Sequence, residues 1–150
     1  MIRLARVAQP AAIAVLRQAT ALRPKRNKAS DGLLPSKAHI KQNPNSDHNS
    51  GFACDLTHDP VNDINCHQIF QELKKDPRVR YLIFSGRIWS FDKGERDYEG
   101  SNPHHHHLHI SIRYTRGNDT SPWFPWLGTP TKLNTVKAAV KKKPKKKGTV

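Results

Sequence analysis

The sequence predicts an α+β domain followed by a basic tail. Three observations lead there. Segments 52–57, 79–84 and 107–112 carry the alternation or short apolar runs of strands. Segments 8–22 and 63–75 repeat apolar residues at helical spacing. Residues 136–150 hold seven Lys and no acid, a composition too polar to bury itself.

The length of 150 residues suits one domain with one modest core. The expected domain is 1–135, with its core at about 8–116, and 136–150 is read as a disordered tail. The formal charge of +14 is unevenly placed. Residues 1–41 carry nine Lys/Arg and one acid (+8), residues 42–135 ten and eleven (−1), and the tail +7. Cationic ends favour anionic partners such as wall polymers, phospholipid head groups or nucleic acid. The near-neutral centre has no recognition-helix or base-stacking pattern, so nucleic-acid binding ranks lowest as a main function.

No stretch reaches the ~20 apolar residues that span a bilayer. Residues 11–16 follow Arg3 and Arg6, as in a signal peptide. Pro10, the shortness of the run and the lack of a cleavage site favour a helix instead. Cys54 and Cys66 have no metal-type spacing and are read as two reduced thiols, with Cys54 in the core.

The first helix, 8–22, takes Ile13, Leu16 and Leu22 as its apolar stripe and stops at Pro24. Residues 23–47 are polar and read as loop. Strand 52–57 puts Phe52, Cys54 and Leu56 on one face and Ala53, Asp55 and Thr57 on the other. His58-Asp59-Pro60 turns the chain, and His58 is either a turn residue or a support for the neighbouring site. The second helix, 63–75, is expected to be capped by Asp63, with Ile64, His67, Phe70 and Leu73 inward. Lys74 and Lys75 suit its negative end.

Strand 79–84 is broken by Ser85-Gly86, and 87–90 is a short return strand. Residues 91–103 are expected to form a loop over the site. Among His104 to His107, the first two are read as loop residues without a chemical part. Residues 117–131 are loop, where Trp123, Phe124 and Trp126 are expected to cover the edge of the core; a ligand platform is the other reading.

Two stretches carry the chemistry. One is Ser46-Asp47-His48-Asn49-Ser50-Gly51-Phe52-Ala53-Cys54-Asp55, the other His107-Leu108-His109-Ile110-Ser111. On a strand Leu108, Ile110 and Ile112 face the core, and His107 and His109 share the polar face. Neighbouring strands can then bring His48, Asp55 and His109 together. A His/Asp/His set with one open position is that of a catalytic zinc ion, though such donors accept other divalent ions. A base is then needed, and His107 is nearest.

The spacing Ser46-x-His48-x-x-Gly51-x-Ala53-x-Asp55, with the later His107-x-His109, resembles the zinc D-Ala-D-Ala carboxypeptidase and hedgehog-type peptidase superfamily. Lys28-Ala29-Ser30-Asp31-Gly32, Ser46-Asp47-His48-Asn49, Asp55-Leu56-Thr57-His58-Asp59-Pro60 and Gly100-Ser101-Asn102-Pro103-His104 resemble its small phage and prophage members. The resemblance covers roughly residues 10–115. It implies a small, mainly antiparallel sheet with helices packed on it, zinc ligands at His48, Asp55 and His109, and cleavage of peptidoglycan stem peptides. Many members carry a Glu three residues before the last ligand, where this chain has His106. Other branches use the first His of His-x-His, which assigns the base to His107, with Asp97 or Glu99 as substitutes.

Arg26, Lys28, Ser46 and Arg87 are candidate substrate contacts; a cation suits a substrate carboxylate, and solvated or ion-paired charge is the competing reading. The expected protein is monomeric, made in the bacterial cytoplasm and active at the cell wall or in a virion. The competing class is a zinc-binding structural or wall-binding module without catalysis.

Overall fold

The computed structural model describes residues 7–35, 40–41 and 43–129. The tail at 136–150 lies outside the described residues. The fold is α+β, with one five-stranded sheet in which every pairing is antiparallel. In chain order the elements are α1 (Pro10–Leu22), β1 (Ala53–Thr57), α2 (Cys66–Leu73), β2 (Val79–Phe84), β3 (Arg87–Ser90), β4 (Gly94–Asp97) and β5 (His107–Ile112). The spatial order is β1-β5-β2-β3-β4, so the last strand lies between the first and second. Among the described residues no helix is long and apolar enough to cross a membrane.

The sheet has two unlike faces. Cys54, Leu56, Leu82, Phe84, Leu108, Ile110 and Ile112 form one core with residues of both helices. The alternate positions Asp55, His107 and His109 stand on the other face, as period-2 alternation requires. Both cysteines are buried and unpaired. Burial pushes the Cys66 thiol up to about 12.

Helix α1 begins at Pro10, whose fixed φ and missing N–H suit a first helical position. Its buried stripe differs from the expected one. Ala11, Ala12, Ala14, Val15 and Ala19 are buried, whereas Ile13, Leu16 and Leu22 are only half-buried. Small side chains let the helix backbone come close to the sheet and to Trp123. That indole is fully buried, and its Nε1–H donates to the Ala11 carbonyl at 3.0 Å. Arg78 stacks on it at 3.6 Å from the ring centroid, and Phe124 is buried beside it. The aromatic segment therefore covers the edge of the core.

The start of α2 is also corrected. Asn65, rather than Asp63, is the N-cap, and its side chain accepts from the His67 amide. Asp63 sits at φ 60, in the left-handed region, and holds Arg23 at 2.7 Å. The buried residues of the helix are Cys66, Ile69, Phe70 and Leu73, while His67 is exposed. With Ile64 outside the helix, the inner stripe is 66, 69, 70 and 73, the i, i+3, i+4, i+7 spacing that leaves His67 off the core face. His58 Nδ1 accepts from the Cys66 amide at 3.0 Å, so it closes the helix start and stands outside the site.

The expected loop at 91–103 contains β4. Its side chains alternate half-buried and exposed along β3, and Arg87 binds both Glu95 and Asp97 across the pair. Polar edge strands lack the apolar signal by which strands are read in sequence.

Trp123→Ala should cost about 3–5 kcal/mol of stability, the usual range for a buried tryptophan. Urea denaturation at neutral pH checks this; a loss under about 1 kcal/mol would mean that the segment does not seal the core.

Candidate metal centre

The register of β1 and β5 builds the site. Asp55 lies directly opposite His109, and Thr57 opposite His107. Opposed residues project from the same face of an antiparallel pair. β2 extends this face, with Ile83 opposite His109 and Tyr81 opposite Ser111.

His48 arrives from the turn before β1, and its chain neighbours pin that turn. The Asp47 carboxylate is almost fully buried and accepts from Arg80 Nη1 at 2.6 Å and from the Tyr114 hydroxyl at 2.7 Å. Asn49, equally buried, donates to the carbonyls of Asn43 and Pro44 at 2.9 and 3.2 Å. Gly51 has φ +80, and a Cβ there would stand 3.0 Å from the Val7 carbonyl oxygen. Only glycine fits both that conformation and that approach.

The donors converge on one carboxylate oxygen. His48 Nε2 is 3.2 Å, His109 Nδ1 3.4 Å and His107 Nε2 3.7 Å from Asp55 Oδ1. The ligand atoms of His48, Asp55 and His109 all lie within 4.8 Å of one another. A tetrahedral ion with bonds of about 2.0–2.2 Å separates neighbouring donors by roughly 3.3–3.5 Å. The donor types suit a divalent ion, and the two His–Asp separations lie close to that spacing.

The far nitrogen of each ligand ring is held by a protein partner. His48 Nδ1 lies 2.8 Å from the Leu33 carbonyl, an acceptor only, so Nδ1–H donates; Nε2 then donates to Asp55 when the ring is protonated and turns a lone pair inward when it is neutral. His109 Nε2 is 2.7 Å from the Ser111 hydroxyl, and its Nδ1 faces Asp55. Ser111 is fully buried and also bonds Tyr81, whose ring stacks on His109 at 5.2 Å between centroids. The Asp55 backbone is paired on its outer edge with Gly32, at 3.1 and 2.8 Å. A Cβ on Gly32 would reach within 3.0 Å of Asp55 Oδ2, so a side chain there crowds the carboxylate.

Electrostatics follow from this geometry. Burial raises the Asp55 carboxyl, but hydrogen bonds from His109 and His48 and their charge outweigh it, leaving Asp55 well below the usual carboxylate range. Burial lowers His48, yet Asp55 and the Leu33 carbonyl prevail and its net shift is upward. Burial, with the neighbouring imidazoles, lowers His107 against the pull of Asp55. Burial also pulls His104 down to about 4, helped by His109 and His107.

A cleft of about 680 Å³ opens over these groups. Ser46 lines it and accepts from the His48 amide at 3.3 Å. The three candidate cations do not line it. Arg26 is buried and binds Asp31 with both terminal nitrogens, at 2.7 and 3.0 Å, fastening the 26–32 loop to β1 through Thr57. Arg87 points from the opposite face into its pairs with Glu95 and Asp97. Lys28 is exposed outside the cleft. Asp97 is committed to Arg87 and Glu99 is exposed away from the cleft, so neither stands in for His107.

His104, expected to have no chemical part, lines the cleft with its ring 4.9 Å from that of His107 and 5.8 Å from that of His109. Tyr81 and Ser111 also support the site. Their strand parity places them on the His109 face, and that signal was available in the sequence. His104 reaches the site through a loop at φ 60, which no periodicity encodes.

Comparison of the chain with protein-family models, curated proteins and solved structures gives no significant match.

Ser111→Ala should weaken zinc binding by about 10–100-fold while the fold survives, because His109 loses its orienting partner. Competition with a chromogenic chelator reads this directly, and unchanged affinity would remove Ser111 from the site.

A second expectation concerns pH. In metal-free protein, the unfolded chain takes up the His104 proton near pH 6.5, whereas the folded chain does so only at about 4. His104 therefore subtracts stability as pH falls through that window. His48, shifted upward, contributes stability that is full below about 6.5 and fades as pH rises through its folded value. In chelator, wild type should lose more thermal stability than His104→Asn between pH 7 and 4.5; parallel curves would contradict this.

Proposed function

We propose that this chain is a zinc-dependent peptidase acting on peptide bonds of the peptidoglycan stem. The single observation that carries the reading is the convergence of His48, Asp55 and His109 on one point of an open cleft, with His107 beside them. The resemblance of the spaced motifs to the zinc D-Ala-D-Ala carboxypeptidase and hedgehog-type peptidases supplies the substrate class and the finer fold attribution.

His48 Nε2, Asp55 Oδ1 and His109 Nδ1 would hold the ion. Bound there, zinc supplies Lewis-acid chemistry, acidifying water and polarising a carbonyl oxygen. The chain's own residues do the rest. The Leu33 carbonyl fixes the proton of His48 on Nδ1, and the Ser111 hydroxyl orients the His109 ring. His107, lowered by burial, is neutral at pH 7 and able to accept the proton released by the attacking water. It returns that proton to the amine nitrogen as the C–N bond breaks. Ser46 and His104 line the walls against which the peptide would lie.

The setting implied is a phage- or prophage-encoded monomer, made in the bacterial cytoplasm and acting at the wall or within a virion. The Lys-rich 136–150 segment would contact anionic wall polymers or nucleic acid without sequence preference.

One observation favours a second reading. His106, at the position of the family's usual Glu, is exposed and does not line the cleft. A zinc-binding module of a phage particle or wall-binding protein, without catalysis, matches that loss.

Mass spectrometry of peptidoglycan incubated with zinc-loaded protein separates the two. Wild type should release new peptide fragments. His107→Ala should keep zinc but slow release by about 10²–10⁴-fold, and His109→Ala should lose both zinc and activity. No fragments from folded, zinc-bound wild type across several wall types would favour the binding module.

A further inference from the structure

We propose that His104 is a substrate-binding residue whose Nε2 accepts a hydrogen bond from a peptide N–H in the cleft. The inference rests on the peptidase reading for its ligand, and on the structure for its donor–acceptor sense.

The loop before β5 holds this ring with unusual care. The His104 amide donates to Asn102 Oδ1 at 3.0 Å, and its carbonyl accepts from the Ser85 amide at 3.0 Å. The Pro103 carbonyl accepts from the Gly86 amide at 2.9 Å, so the loop is clamped to the β2–β3 turn. His104 itself stands at φ 60, a conformation that non-glycine residues rarely adopt and that tends to occur where function fixes the backbone.

The ring chemistry is defined by one contact. His104 Nδ1 lies 2.6 Å from the Asn102 carbonyl oxygen. A carbonyl only accepts, so Nδ1 carries the proton. Neutral imidazole then has its lone pair on Nε2, and no described side chain is bonded to that atom. The ring lines the cleft edge-on to His107 and His109, with Tyr98 behind it at 5.7 Å. Unlike His48, His107 and His109, it makes no close polar contact with Asp55. It is thus a fixed acceptor set back from the metal ligands. An extended peptide presents N–H donors along its length, and a neutral acceptor on the wall is suited to one of them.

The test uses the full-length, zinc-loaded protein in a His107→Ala background, which slows turnover enough for binding to be read. The probe is a synthetic stem pentapeptide ending in D-Ala-D-Ala. His104→Phe keeps a ring and removes the acceptor; His104→Gln restores an acceptor near the place of Nε2. Pentapeptide binding should weaken on the order of tenfold in His104→Phe, the usual worth of one hydrogen bond, and stay within about threefold in His104→Gln. Zinc affinity should be unchanged in both, which also shows that both fold.

An independent readout comes from the same parent labelled with ¹⁵N in its histidine rings. His104, assigned by its absence in the Gln variant, should show the Nδ1–H tautomer, and its Nε2 resonance should shift on adding pentapeptide. Equal pentapeptide binding by His104→Phe and parent, or loss of zinc from either variant, would overturn the proposal. If the parent does not bind pentapeptide and wild type does not cleave peptidoglycan, the peptidase reading itself fails and takes this proposal with it. Binding by the parent with no change in the Phe variant removes only the role of His104.

Discussion

The pairing of Asp55 with His109 across β1 and β5 is the constraint on which the structure depends. It marks the register of the first and last strands, and a slip of one residue would exchange the two faces of β1. With β5 held by β2, a slipped β1 would turn Cys54 and Leu56 to solvent and Asp55 into the core. The apolar face and the site are therefore specified by one alignment. Stability and chemistry cannot drift apart, because the same hydrogen-bonded ladder carries both.

A partly buried carboxylate ringed by imidazoles is costly without compensation. The charge is offset here by His48 and His109, held from behind by Leu33 and Ser111. A divalent ion would replace that compensation with a stronger one while leaving the supporting contacts in place. His48 and His109 each spend the outer nitrogen on a protein partner and turn the inner one toward Asp55. The chain neighbours of His48 serve the same end, with Asp47 locked by Arg80 and Tyr114 and Asn49 by two carbonyls.

The cations of the domain are largely spent on architecture. Arg23 bridges Asp63 and the Gly128 carbonyl, Arg26 ties Asp31, and Arg78 joins Asp76 to carbonyls of the 119–122 segment while stacking on Trp123. Guanidinium is suited to this because its fork satisfies several acceptors at once. Arg26 and Arg87, the arginines expected to meet substrate, likewise turn their planar donors to carboxylates of the fold. The cleft keeps imidazole, amide and hydroxyl groups instead.

The sequence by itself determined the elements with strong periodicity. β2 and β3 match their expected bounds, β1 begins one residue late, and α1 two. It also determined which residues of β1 and β5 could share a polar face, since strand parity is a local property. Tertiary structure decided what depends on long-range partners. It set the start of α2, because Asn65 and His58 supply the cap and Asp63 is drawn off by Arg23. It made β4 a strand, because pairing with β3 substitutes for a missing apolar pattern. It turned Arg87 away from the cleft and brought His104 into it. Side-chain direction on a loop follows from backbone angles fixed by contacts distant in sequence, and no spacing rule encodes those.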